Sequence, residues 1–102
     1  MARRLPLHPG KILLREFLNE LGITSYALAK GIGVPTNRVT GIVNGDRAIT
    51  ADTALRFGRF FGNSPEFWMN LQMHYDLEMA ERRVGRQVLR DVEQISAMLV
   101  AE

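Results

Sequence analysis

The chain has 102 residues, 46% of them hydrophobic, with 13 Lys or Arg against 11 Asp or Glu and no cysteine. That length suits one domain with a modest core, burying ~60% or slightly more of the unfolded surface, and leaves little room for a deep enclosed active site. The lack of cysteine excludes disulfides and thiolate metal sites, and no apolar run approaches the ~20 residues needed to span a bilayer. The net charge of +2 hides an asymmetry. Residues 1–62 carry nine Lys or Arg against four Asp or Glu, and residues 63–102 carry four against seven. A basic front half suits a polyanion. After MARR, residues Pro6, His8, Pro9, Gly10 and Lys11 interrupt any leader-like apolar stretch. A soluble, cytoplasmic (nucleoid-associated) protein without a membrane partner is the expectation.

No stretch alternates with a strand period over more than a few residues, so the chain reads as all-α. Pro9 suits a first helical position, and Ile12, Leu13, Phe17, Leu18 and Leu21 then recur at helical spacing until Gly22. Thr24 is a good N-cap for a second helix running to about Ile32, and Gly33-Val34 makes a turn. Thr36 is expected to cap a third helix that stops at Asn44-Gly45. Thr50 caps a fourth, with Asp52 in its first turn and Ala54, Leu55, Phe57, Gly58 and Phe61 on its apolar face. Ser64-Pro65-Glu66 starts a fifth, carrying Phe67, Trp68, Leu71, Tyr75 and Leu77 towards Met79. The reading is a five-helix domain over residues 5–78, with a C-terminal helical extension over 79–102. Trp68 and Phe67 belong to the core or to a dimer interface.

Residues 25–45, SYALAKGIGVPTNRVTGIVNG, carry the function. Ala29 lets a second helix approach closely, Gly33 supplies a backbone with φ > 0, and Val39 plugs the following helix onto the first. Leu28, Ile32, Val34 and Ile42 add apolar contacts. This is the layout of a helix-turn-helix, whose second helix enters the DNA major groove. The bland alternative is an αα-hairpin in an ordinary bundle. On the third helix Thr36, Asn37, Arg38, Thr40 and Gly41 face the bases. Asn37 and Arg38 lead, because Asn pairs with adenine and Arg with guanine in bidentate fashion. Ser25 and Tyr26, at the positive end of the second helix, are assigned to phosphate together with Lys30, Asn44 and Arg47.

Enzyme chemistry is not expected. His8 and His74 lie far apart without metal-type neighbours, so no metal is assigned. The Ser and Thr residues are accounted for by caps and the third helix, and no Gly-rich phosphate loop is present, so no cofactor is expected. Val84, Val88, Val92, Ile95 and Leu99 fall at spacings of four, four, three and four, one helical stripe. Val88, Val92, Ile95 and Leu99 are the candidate dimer or partner contacts; folding back onto the chain's own domain is the other reading.

HPGKILLREFL, ITSYALAKGIGVP, NRVTGIVNGDRAITADTALR and GNSPEFWMNLQMHYDLE together resemble the HigA-type (VapI-type) antitoxins of the Cro/C1-type helix-turn-helix group. The resemblance covers about residues 7–78. It implies a five-helix Cro/C1-type domain that binds double-stranded operator DNA as a homodimer and represses its own operon. It also implies a cognate toxin protein, typically a RelE-like ribonuclease that cleaves mRNA, as partner. Three positions depart from the group: Ser25 where Gln is common, Gly41 where a longer polar residue often faces the groove, and Asp46 where Lys or Arg is usual. A stand-alone repressor without a toxin, or a protein-interaction module with weakened DNA binding, are the competing readings.

Overall fold

The computed structural model describes residues 5–100, with side chains to Leu99. The first helical run is continuous in backbone from Pro9 to Leu21 but changes its hydrogen bonding on the way. It comprises α1 (Pro9–Ile12), a π-helical stretch (Leu13–Leu18) and α2 (Asn19–Leu21). His8 caps it, its Nδ1 accepting from the Gly10 N–H at 2.9 Å. Then come α3 (Ser25–Ile32), α4 (Thr36–Val43), α5 (Ala51–Phe61), α6 (Pro65–Asp91) and α7 (Ile95–Val100). Thr24, Thr50 and Ser64 cap α3, α5 and α6 by accepting from the N–H three residues on, which satisfies donors that the first turn leaves open.

The expected cap of α4 is not there. Pro35 stands at the N-cap in an extended conformation, without a side-chain hydrogen bond, and Thr36 is already the first helical residue. The Pro35 carbonyl accepts the Arg38 N–H at 3.0 Å, so the main chain closes this turn unaided.

Leu13, Leu18, Leu28, Ala29, Ile32, Val39, Ile42, Ile49, Ala54, Phe57 and Trp68 form one core. Trp68 anchors it, its ring centroid 4.8 Å from Phe17 and 5.0 Å from Phe57, with its Nε1–H donating to Asn63 Oδ1 at 2.9 Å. A large aromatic is buried at low cost when its one polar atom is paired in this way. Phe67 stacks edge-on against Trp68 from the rim, where it stays partly exposed. Two residues assigned to apolar faces, Leu21 and Leu55, point to solvent instead. At α1 the backbone comes so close to α4 that a Cβ on Gly10 would lie 1.7 Å from the Ile42 carbonyl oxygen. Here glycine is required by contact.

α6 does not stop near residue 78. It runs unbroken for 27 residues, about 40 Å at 1.5 Å per residue, because no proline follows Pro65 and the single Gly85 is tolerated among good helix formers. It ends where Val92 turns extended, and α7 follows. The radius of gyration is 18.1 Å, against about 13 Å for a compact domain of this length. The excess comes from the far half of α6 and α7, which extend beyond the core. Val88, Val92, Ile95 and Leu99 are exposed there and do not fold back on the domain, but the extended Val92 divides them between α6 and α7, so the expected single helical stripe is not formed.

Candidate DNA-binding interface

The helix pair α3–α4 is set by the residues between them. Gly33 has φ 74 and closes α3, and the Val34 N–H returns to the Ala29 carbonyl at 3.0 Å. A Cβ on Gly33 would meet nothing nearer than Arg56 Nη1 at 3.5 Å, so the need for glycine is conformational. Ala29, Val39 and Ile42 are buried between the helices. With Val39 and Ile42 fixed inward, the ~100° turn per residue sets where every other α4 side chain stands. Asn37, Gly41 and Asn44 share the opposite side with Thr40 beside them, and Arg38 lies on a flank. Asn37 and Asn44 are exposed, while Thr36, Arg38, Thr40 and Gly41 are half-buried. The Thr40 hydroxyl donates back to the Thr36 carbonyl at 3.3 Å, a weak local bond that leaves its methyl for apolar contact.

Arg38 is engaged within the chain. Its Nη1 donates to Asp52 Oδ2 of α5 at 2.6 Å, and Arg56 Nε donates to the same oxygen at 2.9 Å. Arg56 Nη1 also donates to the Ile32 carbonyl at 2.8 Å, at the negative end of α3. The hydrogen bonds from Arg56 and Arg38 hold the Asp52 carboxyl below the usual carboxylate pKa. The group is exposed, so these bonds fix geometry more than stability. Arg38, Arg47, Ala48, Thr50, Asp52, Thr53 and Arg56 line an open cleft of about 490 Å³ beside α4.

The loop after α4 folds back over it. The Gly41 carbonyl accepts the N–H groups of Asp46 at 2.8 Å and Arg47 at 3.0 Å, and Gly45 takes φ 83. The Arg47 side chain thereby lies across Gly41, where an added Cβ would stand 2.8 Å from Arg47 Cδ and 2.9 Å from Cγ. At the start of α3 the Thr24 hydroxyl takes the Ala27 N–H, while Ser25 and Tyr26 are the first two helical residues. Their N–H groups have no intrahelical partner, as at any helix start. Tyr26 is exposed and Ser25 half-buried. Lys30 is exposed in the last turn of α3. The assigned residues thus fall into two groups, one on the outer side of α4 and its following loop, the other at the start of α3. Lys30 stands apart, in the opposite end of α3 from Ser25.

A helix-turn-helix family model matches residues 14–68. Virulence-associated protein I of Dichelobacter nodosus is 49% identical over 76 residues, which span 74% of this chain and 70% of that protein. An addiction module antidote protein of the HigA family from Coxiella burnetii superposes with a TM-score of 0.85 at 48% identity, covering 89% of this chain and 99% of that one. This chain belongs to the HigA family of helix-turn-helix antitoxins. The Pseudomonas aeruginosa antitoxin HigA, solved with the higBA promoter, superposes with a TM-score of 0.84 at 45% identity, over 86% of this chain and 96% of that one.

Within this HigA-family fold, sequence reasoning missed that Asp52 and Arg56 form a network with Arg38 beside α4. Their i,i+4 spacing was a visible signal of pairing along α5. That Arg38 would join them from α4 had no local signal, because the two helices meet only through the tertiary fold. It also missed the overlap of Arg47 and Gly41, which arises from the loop turning back on the helix.

Proposed function

We propose that this chain is a DNA-binding antitoxin. As a two-fold dimer it represses its own operon by placing α4 in successive major grooves, and it neutralises a RelE-like, mRNA-cleaving toxin. The observation that carries the reading is the outer side of α4. Asn37, Gly41 and Asn44 are presented together by a helix that Val39 and Ile42 seat on α3, with the Arg47 side chain lying beside Gly41. Such a surface offers amide and guanidinium groups to base edges, with Ser25 and Tyr26 at a helix start suited to phosphate. The family relative solved with its promoter supports this use of the fold.

In this reading residues 5–78 bind DNA and residues 79–102 make the dimer or toxin contact, so the functional division falls inside the continuous α6. A two-fold dimer would set the two copies of α4 about 34–36 Å apart, one turn of DNA. Asn37→Ala is the direct test. It should cost ~1–3 kcal/mol on the chain's own promoter and relax preference at one base position. Unchanged affinity and preference would remove α4 as the reading helix. The toxin arm is tested by co-expression with the adjacent reading frame: a co-purifying, growth-inhibiting ribonuclease is expected. A neighbourhood without any toxin-like frame would reduce the reading to a stand-alone repressor.

A further inference from the structure

We infer that Arg47, carried by the loop and not by α4, reads a base edge across the space that Gly41 leaves open, while Asp52 withdraws Arg38 from that task. The inference rests on the DNA-binding reading above and deepens it by naming the residue that sets specificity. Gly41 lies one turn beyond Asn37 on the outer side of α4, where a longer side chain would face the groove. The chain has no side chain of its own there. Instead the Gly41 carbonyl holds the Asp46 and Arg47 N–H groups, and the Arg47 stem packs against the place of the missing Cβ, with Cδ 2.8 Å and Nε 3.4 Å from it. A stem packed on the helix loses little further freedom on binding, so the guanidinium is presented nearly as if it grew from α4.

The two arginines differ in availability. Arg38 is bound to Asp52 at 2.6 Å, and Asp52 is held in turn by Arg56. To read a base Arg38 would have to leave a carboxylate whose other partner stays in place. Among the described residues the Arg47 guanidinium has no ion-pair partner. The chemistry that a free, planar, forked cation recognises in a major groove is the O6/N7 edge of guanine.

The test is selection of binding sites from a duplex library randomised over about two helical turns, using the full chain and its Arg47→Ala, Arg47→Lys, Gly41→Ser, Arg38→Ala and Asn37→Ala variants. Arg47→Ala and Arg47→Lys should both lose preference for one G·C pair, by about 5- to 150-fold, with preference elsewhere kept. Gly41→Ser, which claims the space of the Arg47 stem, should weaken the same position. Arg38→Ala should leave it intact. Should Arg47→Lys keep full preference while Arg47→Ala weakens all sequences equally and lowers the salt slope by about 1, Arg47 contacts phosphate and the inference is overturned. Loss of that base pair in Arg38→Ala alone overturns it as well. In both cases loss of preference at a different position in Asn37→Ala keeps α4 as the reading helix. No selected sequence with the wild-type chain would instead remove the DNA-binding reading, and this inference with it.

Discussion

The two halves of α6 are the same helix in two environments. Its first turns bring Trp68 and Gln72 into the core, where the indole meets Phe17, Phe57, Phe61 and Phe67. Its later turns carry Val88 and Leu89 into solvent, and beyond the break at Val92 α7 also exposes Ile95, Met98 and Leu99. Helix propensity keeps the whole length helical despite Gly85, but the first half is the one that gains stability from tertiary burial. An element can thus be continuous in backbone and divided in energetics. The near half holds the loop after α4 in place through Gln72; the far half presents exposed apolar area.

Trp68→Ala should break this contrast most severely. Truncating a fully buried aromatic costs about 3–5 kcal/mol, a large share of what a domain of this size has to lose. Urea denaturation should show the midpoint falling sharply. A midpoint close to wild type would mean that the aromatic cluster does not anchor the near half.

Gln72→Ala comes next. Gln72 is buried, its Oε1 accepts the Ile49 N–H at 2.8 Å, and its Nε2 donates to Asp76 at 2.9 Å. The substitution leaves a buried N–H unpaired in the segment that follows Arg47, for about 1–3 kcal/mol. Hydrogen exchange should speed up at Ile49 before it does in α5. Uniform exchange across the domain would argue that α6 and this loop are not locally coupled.

These two residues also mark what the sequence reveals. Trp68 sits in a helix whose start, Ser64-Pro65-Glu66, is unmistakable, but core or dimer interface stayed open for it and Phe67, and the fold buries Trp68 while leaving Phe67 at the rim. The caps at Thr24, Thr50 and Ser64 and the left-handed glycines at 22, 33, 45 and 62 are local signals, so the helices were legible from them. The family resemblance adds the fold and the antitoxin class. Gln72 is different. Nothing in the residues beside it says that its amide must serve Ile49, 23 positions away. The same holds for Arg38 and Asp52, 14 apart, and for Arg47 on Gly41. Contacts of one turn are written in spacing; contacts between elements depend on how the helices finally cross. The helix pair was therefore legible in its local signals, and the side-chain partners between elements were not.

His8 offers a smaller effect, readable as a pH slope. It caps α1 through an unprotonated Nδ1, lies 4.8 Å from Tyr75 of α6 and borders Gly45 of the loop. Burial lowers its pKa below the ordinary 6.5, against the raising influences of the Arg47 main chain, Asp76 and Asp46. The unfolded chain therefore binds the proton first as pH falls through 6.5, and stability rises with pH across that window. This contribution is present above pH 6.5 and is lost as pH falls from there towards the lower, folded value. Denaturation midpoints should decline on acidification over this range, and His8→Gln should flatten the decline. An equal decline in the variant would assign it to other groups.

The least effect on the folded chain should come from Val92→Asp with Ile95→Asp, and it is the sharpest test of the far half. Both residues are exposed, so the single chain should change by no more than about 0.5 kcal/mol. Self-association or toxin binding through the stripe would respond far more, since two carboxylates would have to be desolvated in an apolar contact. An obligate partner makes thermal stability depend on concentration. The wild-type melting temperature should therefore rise with protein concentration, or with added toxin, and the double variant's should not. If light scattering gives the same mass for both chains and toxin binding is intact, the stripe is not the contact surface. The far half of α6 would then be a helix held only by its own backbone, and α7 would have no reason to carry Ile95, Met98 and Leu99 outward.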